Sequence, residues 1–221
     1  MAANYGAHEV MEVHEVLTCA IDGINSMQML RQHVRDQRLS QIMDHQLQFA
    51  MNEYNNLVQM IHQQGMGQAT PYRAVKGQSQ PVYGLDNPER MTPNLTPNQL
   101  DDRDISSIVL GFHKASAGKK MLAALECANP EIRRAMQQGA VNCSEQAYEV
   151  WQYMNQSGYY QVPTMKDVTT NTMMQMYETA GNMQQPGMQG MHAGQGLQGM
   201  QTMQGGINPS QHMVSPNMLT Q

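Results

Sequence analysis

Residues 129–158, NPEIRRAMQQGAVNCSEQAYEVWQYMNQSG, carry the pattern on which the fold reading turns. Small or apolar residues fall at Ile132, Met136, Ala140, Cys143, Ala147, Val150 and Met154. The spacing of 4,4,3,4,3,4 puts all seven in one stripe along an α-helix, the seam of a helical bundle. Asn129-Pro130 supplies an N-cap residue followed by proline at the first helical position, where the missing N–H costs nothing. Gly158 stands where a glycine ends a helix.

The same pattern occurs 93 residues earlier, at Leu39, Met43, Leu47, Ala50, Tyr54, Leu57 and Ile61. Its start, Asp36-Gln37, and its end, Gly65, keep the offset of 93. A second pair of helices is read at an offset of 95: Val10, Val13, Leu17, Ala20, Ile24, Met27 and Leu30 against Ile105, Ile108, Phe112, Ala115, Lys119, Leu122 and Leu125. Lys119 breaks the second stripe and is expected at its margin, its stem over apolar surface and its amine in water. Asp101, Asp102 and Asp104 place negative charge where the dipole of the third helix favours it.

Each half therefore reads as a helical hairpin with one apolar face, which neither half can bury alone. The expected fold is all-α: duplicated hairpins paired in a four-helix bundle. Residues 1–64 form the first hairpin, 65–100 a crossover connector, and 101–160 the second hairpin. Residues 161–180 are an extension without an assigned element, and 181–221 a low-complexity tail. A helix of about 27 residues is only about 40 Å long, so the connector can run the length of the bundle. That crossover gives the pseudo-twofold arrangement of ferritin-like bundles.

The tail holds no Asp, Glu, Lys or Arg after Glu178, and stretches such as GMQGMHAGQGLQGMQTMQGG, residues 187–206, predict disorder. Over the whole chain, 13 Lys and Arg against 18 Asp and Glu give a net charge of −5, without a basic block suited to nucleic acid. No segment has the length and apolarity of a membrane span, and no signal peptide is read at the N-terminus, which predicts synthesis in the cytoplasm. Cys19, Cys127 and Cys143 lack metal-ligand spacing and read as reduced, mostly buried thiols.

Spacing decides between the candidate sites. In HEVMEVHEV, residues 8–16, Glu12 stands four residues after His8 and Thr18 four after His14, so the two-histidine zinc-protease helix is absent. No Glu is followed by His at the third position, which removes the standard di-iron centre of a ferritin-like bundle. His8, Glu12 and Glu15 share a face roughly 150° from the apolar stripe and are expected outside, with Glu9 and His14 flanking the core. Cys143 reads as a seam residue. No phosphate loop or nucleophile elbow is present, so the reading assigns no catalytic, cofactor-binding or metal-binding residue and no enzyme activity. The alternative is a metal-handling ferritin-like protein, with iron or manganese in the bundle or copper on Met188, Met191, Met200 and Met203 of the methionine-rich tail.

The second half also resembles a known family. Asp102-Arg103-Asp104, the segment ECANPEIR (Glu126 to Arg133) and YMNQSGYY (Tyr153 to Tyr160) are similar to the coat F family of bacterial endospore coat proteins, most closely over residues 102–163. The resemblance implies a ferritin-like bundle acting as a structural component of the spore, in the coat or an adjacent layer. It implies other coat proteins as partners, self-association, and no catalytic residues.

Overall fold

The computed structural model describes residues 5–62, 69–75 and 79–180. These residues form five α-helices and no strand: α1 (Ala7–Arg31), α2 (Gln37–Ile61), α3 (Asp102–Glu126), α4 (Pro130–Gln156) and α5 (Asp167–Met174). The tail, 181–221, and Gly65 lie outside the described residues. No helix of the described residues is long and apolar enough to cross a membrane.

The helix starts follow their local chemistry. Asp36 accepts the N–H groups of Arg38 and Leu39 at 2.7 and 3.0 Å, and Asn129 accepts those of Glu131 and Ile132 at 2.8 and 3.2 Å. Asp101 caps α3 by accepting the Asp104 N–H at 3.0 Å. At the end of α4, Gly158 takes φ +74°, a left-handed conformation that glycine adopts without strain, and the Tyr159 N–H reaches back to the Met154 carbonyl at 2.8 Å. No residue of α5 is buried.

The four long helices meet in the pairs α1–α2, α1–α3, α2–α4 and α3–α4. Cross-helix contacts set the directions. Glu15 meets Lys119 and His8 lies near Glu126, so α1 and α3 run antiparallel. Gln46 meets Glu149 and Glu53 meets Asn142, so α2 and α4 do likewise.

The seam of α4 is buried at all seven expected positions, and Leu39, Met43 and Leu47 are buried on α2. The stripes read on α1 and α3 need correction. On α1, Val10 is 51% exposed whereas Glu9 is 2% exposed; the helix buries Glu9, Val13, Val16, Gly23, Met27 and Leu30. On α3, Ile108, Leu122 and Leu125 are exposed, and the buried face carries Ile105, Ser106, Val109, Leu110, His113, Ser116, Ala123 and Ala124. The offset of 95 falls with them. Val13 and Ser106, Val16 and Val109, Gly23 and Ser116, Leu30 and Ala123 are all buried pairs 93 residues apart, so one offset relates both halves.

The physical reason is that α3 has an apolar stripe on each side. A hydrophobicity search selects the more apolar one, but the inward stripe carries Ser106 and His113, whose hydrogen bonds to the Arg103 carbonyl (3.0 Å) and to Gln46 (2.9 Å) offset their burial. Gly23 is fixed by the same interface. A Cβ there would stand 1.8 Å from Cζ of Phe112, so α1 and the aromatic ring of α3 meet only because glycine is present.

Candidate functional site: a polar layer beneath a strapped connector

Two apolar clusters fill the ends of the four-helix interior. One gathers Met27, Leu39, Met43, Ile105, Val150 and Tyr153; the other gathers Val13, Val16, Ala123, Ala124, Ile132 and Met136. Between them, and reaching into the flank of the first at Gln46 and Glu149, lie polar groups of α2, α3 and α4 and a cavity of about 180 Å³ bordered by Cys19, Phe49, His113, Ser116, Lys120 and Cys143.

The layer is organised around two carboxylates. Glu53 forms an ion pair with Lys120 and accepts from Asn142 Nδ2 at 2.8 Å. Burial alone would push the Lys120 pKa down, but Cys143 and Glu53 beside it outweigh this and hold it above the usual lysine value. The Cys143 thiol is itself pushed up by burial, against the pull of Lys120, and is a neutral neighbour at neutral pH. Glu53 therefore carries the pair. Gly139 makes room for it, since a Cβ there would lie 3.0 Å from Cδ of Lys120.

Glu149 is the second centre. It accepts from the Tyr72 hydroxyl, from the Val75 N–H at 2.7 Å and from Gln46 Nε2 at 3.1 Å. Gln46 Nε2 also donates to the Gln146 carbonyl at 3.2 Å, so Gln46 Oε1 faces His113 Nε2, which donates across 2.9 Å. Burial, and then the charge of Lys120, push the His113 pKa down to about 3, so the ring is neutral at neutral pH. Burial and the Glu149 carboxylate raise the pKa of Tyr72, which stays a donor.

The connector is bound to α4 by a row of side chains. Asn142 accepts the Tyr72 N–H at 2.9 Å and donates to the Thr70 carbonyl at 3.0 Å. Gln152 donates to the Ser79 carbonyl at 3.2 Å and Gln156 to that of Gln80 at 2.9 Å. Asn155 holds Val82 from both sides, accepting its N–H at 2.8 Å and donating to its carbonyl at 2.9 Å, and beyond the helix Gln161 grips Asp86 in the same way. A carboxamide has a donor and an acceptor, so each can replace the neighbouring strand that an extended backbone otherwise requires. The described connector thus travels alongside α4 from its middle past its C-terminus, toward the start of α3.

The residues singled out in HEVMEVHEV are not brought together. His8 is exposed, 3.9 Å from a Glu126 oxygen; Glu15 pairs with Lys119 at 3.0 Å; His14 is exposed. Lys119, whose amine holds that pair, is half-buried at the margin of α3. Glu9, expected beside the core, is inside it and accepts the Asn129 N–H at 2.8 Å. Cys127 and Cys143 are buried and Cys19 is half-buried near Ser116 Oγ at 3.9 Å. Met188, Met191, Met200 and Met203 lie outside the described residues. Among the described residues no three His, Cys, Asp or Glu side chains gather to hold a metal ion. The two carboxylates of the polar layer are occupied by the Lys120 ammonium and by Tyr72, Val75 and Gln46, so this donor set does not suit a di-metal centre.

The polar layer was missed in the sequence, although a signal for it exists. Asn142, Gln146, Glu149, Gln152 and Asn155 follow at steps of 4,3,3,3 beside the apolar stripe, an almost uncharged polar row on a helix that surface charge would otherwise cover.

The Coat F domain model matches residues 101–163, which span α3, α4 and the first residues after them. Over 193 residues the chain is 33% identical to the spore coat protein F-like protein YhcQ of Bacillus subtilis strain 168, covering 85% of this chain and 89% of that protein. The chain belongs to the coat F family. No solved structure matches it. Within this coat F protein the matched region holds the carboxamide row and the inner face of α3, while the similarity to YhcQ spans most of the chain.

Proposed function

We propose that this protein is a structural, non-enzymatic component of the bacterial endospore, placed in the coat or an adjacent layer, acting through self-association and contacts with other coat proteins. The observation that carries the reading is the similarity to a spore coat protein F-like protein over 85% of the chain. The site supports it: Asn142 engages Glu53 and Gln46 engages Glu149, and Asn142 and Glu149 also hold the connector backbone, a use that fixes a shape. We infer a ferritin-like bundle, supported by the four helix pairs, the antiparallel contacts and the connector alongside α4. Its two hairpins and crossover are taken as one domain, with the region after residue 160 as an appendage.

A fluorescent fusion expressed from the native promoter tests the reading. Signal that first arises during sporulation and collects at the spore periphery is the expected result. Diffuse signal throughout vegetative cells, absent from the spore, would overturn it.

A further inference from the structure

The outward stripe of α3 has no partner within the described residues. Ile108, Gly111, Ala115, Gly118, Leu122 and Leu125 recur at steps of 3,4,3,4,3, the spacing of a coiled-coil seam, and all six are exposed. Ile108 is 47% exposed, Leu122 66% and Leu125 67%. A Cβ built on Gly111 or Gly118 would meet nothing within 4 Å, so a second backbone has room to approach closely. A helix that is apolar on both sides is normally covered on both.

We propose that this stripe is a self-association seam, on which α3 of a second copy packs antiparallel; the proposal rests on the structural, self-associating reading above and names its surface. The order of sizes makes the stripe self-complementary: bulky Ile108, small Gly111, Ala115 and Gly118, bulky Leu122 and Leu125. Turned end for end about its middle, Ile108 meets Leu125, Gly111 meets Leu122, and Ala115 meets Gly118, so a bulky side chain faces a glycine in one pair and two small residues face each other at the centre. Charge agrees with that register. The flanking lysines do not oppose each other, since Lys114 comes opposite Met121 and Lys119 opposite Phe112. The acidic start of α3, with Asp101 and Asp104, comes to the α3–α4 turn of the second copy, where exposed Arg133 and Arg134 balance exposed Glu126 and Glu131 and no net negative charge faces it. A parallel arrangement would instead bring acidic start to acidic start.

The test uses the full chain. Sedimentation velocity over a concentration series should show reversible self-association of the wild type. Leu122→Glu with Leu125→Glu should weaken it roughly 100-fold or more, because burial of four leucines per pair is replaced by burial of four carboxylates. Helicity and melting temperature should stay unchanged in dilute solution, as both side chains are exposed in the single chain. Mild oxidation of a mixture of Ile108→Cys and Leu125→Cys chains should give the mixed disulfide in preference to either homodimer, with the wild type as control for the native thiols. Self-association that survives the glutamate pair, or homodimer cross-links in place of the mixed one, would overturn the seam and leave self-association standing. A monomeric wild type would overturn both. A monomeric wild type whose glutamate variant also loses helicity would assign the stripe to another segment of the same chain.

Discussion

The Glu9 carboxylate at the start of α1 accepts the backbone N–H of Asn129 at the start of α4, at 2.8 Å and 120 positions away in the chain. Asp102, 93 residues after Glu9, does the same for the other hairpin, accepting the Arg35 and Asp36 N–H groups at 2.9 and 3.1 Å. Each half thus sends one acid from its first helix to the N-cap of the other half's second helix. The two hairpins fasten each other reciprocally, and the residues that do it are both carboxylates at corresponding positions 93 apart.

Removing either acid is therefore expected to destabilise the whole assembly of helices. Glu9→Ala leaves a buried N–H unpaired and should lower unfolding free energy by about 1–3 kcal/mol, with Asp102→Ala, at a more exposed site, nearer the lower figure. Glu9→Gln keeps an acceptor oxygen and should lose less. Urea unfolding monitored by circular dichroism measures all three; an unchanged midpoint for Glu9→Ala would show that the contact carries nothing.

The connector's attachment predicts a local effect. Asn155 holds both backbone groups of Val82 and also donates to the Tyr160 carbonyl at 3.0 Å. Asn155→Ala should cost about 1–2 kcal/mol and free the connector near Val82 before the helices open. Hydrogen exchange resolved by mass spectrometry should then show faster exchange in the segment around Val82 than in α2 at equal overall stability. Uniform acceleration across α2 and α4 would mean that the strap and the helices open together.

How much of this was legible depended on whether apolarity and burial agreed. For the apolar stripe of α4 and for Leu39, Met43 and Leu47 of α2 they do, and the caps at Asp36, Asn129 and Gly158 are local chemistry that sequence shows directly. On α3 they do not: Leu122 and Leu125 are more apolar than Ser106 and His113, yet the latter are inside, with Ser106 bonded to the Arg103 carbonyl of its own helix and His113 to Gln46 of α2. A partner such as Gln46 is set by tertiary contact and leaves no periodicity. Glu9 follows the same logic, being inside only because Asn129 arrives from 120 positions away. The candidate site was illegible for this reason, since Gln46, Glu53, His113, Asn142 and Glu149 are held in it by long-range hydrogen bonds.

Gly23 offers a packing test that does not depend on the polar layer. A Cβ at this position would lie 1.8, 2.4 and 2.7 Å from three atoms of the Phe112 ring. Gly23→Ala should therefore cost about 1–3 kcal/mol despite the better helix propensity of alanine, because the ring or the helix must shift. Adding Phe112→Leu, which shortens the opposing side chain, should recover part of the loss. Thermal melts of the two single variants and the double variant decide it; strictly additive losses would show that the two positions do not press on each other.

His113 sets the pH dependence that is specific to this interior. Burial and Lys120 push its pKa from 6.5 down to about 3, so the unfolded chain takes up a proton in a range where the native chain does not. The stability tied to this ring is complete above about pH 6.5, falls as pH drops through the window, and stops falling below the folded pKa near 3. Each full unit inside the window is worth about 1.4 kcal/mol, and the onset from about pH 6.5 to about pH 5.5 should lower stability by about 1 kcal/mol. That upper part of the window lies above the usual carboxylate range, so the acids contribute little there. His113→Gln, which can still donate to Gln46 but does not titrate, should flatten the slope while costing stability at every pH. Urea midpoints for both proteins across this range are the measurement, and equal slopes in wild type and variant would remove His113 as the titrating group.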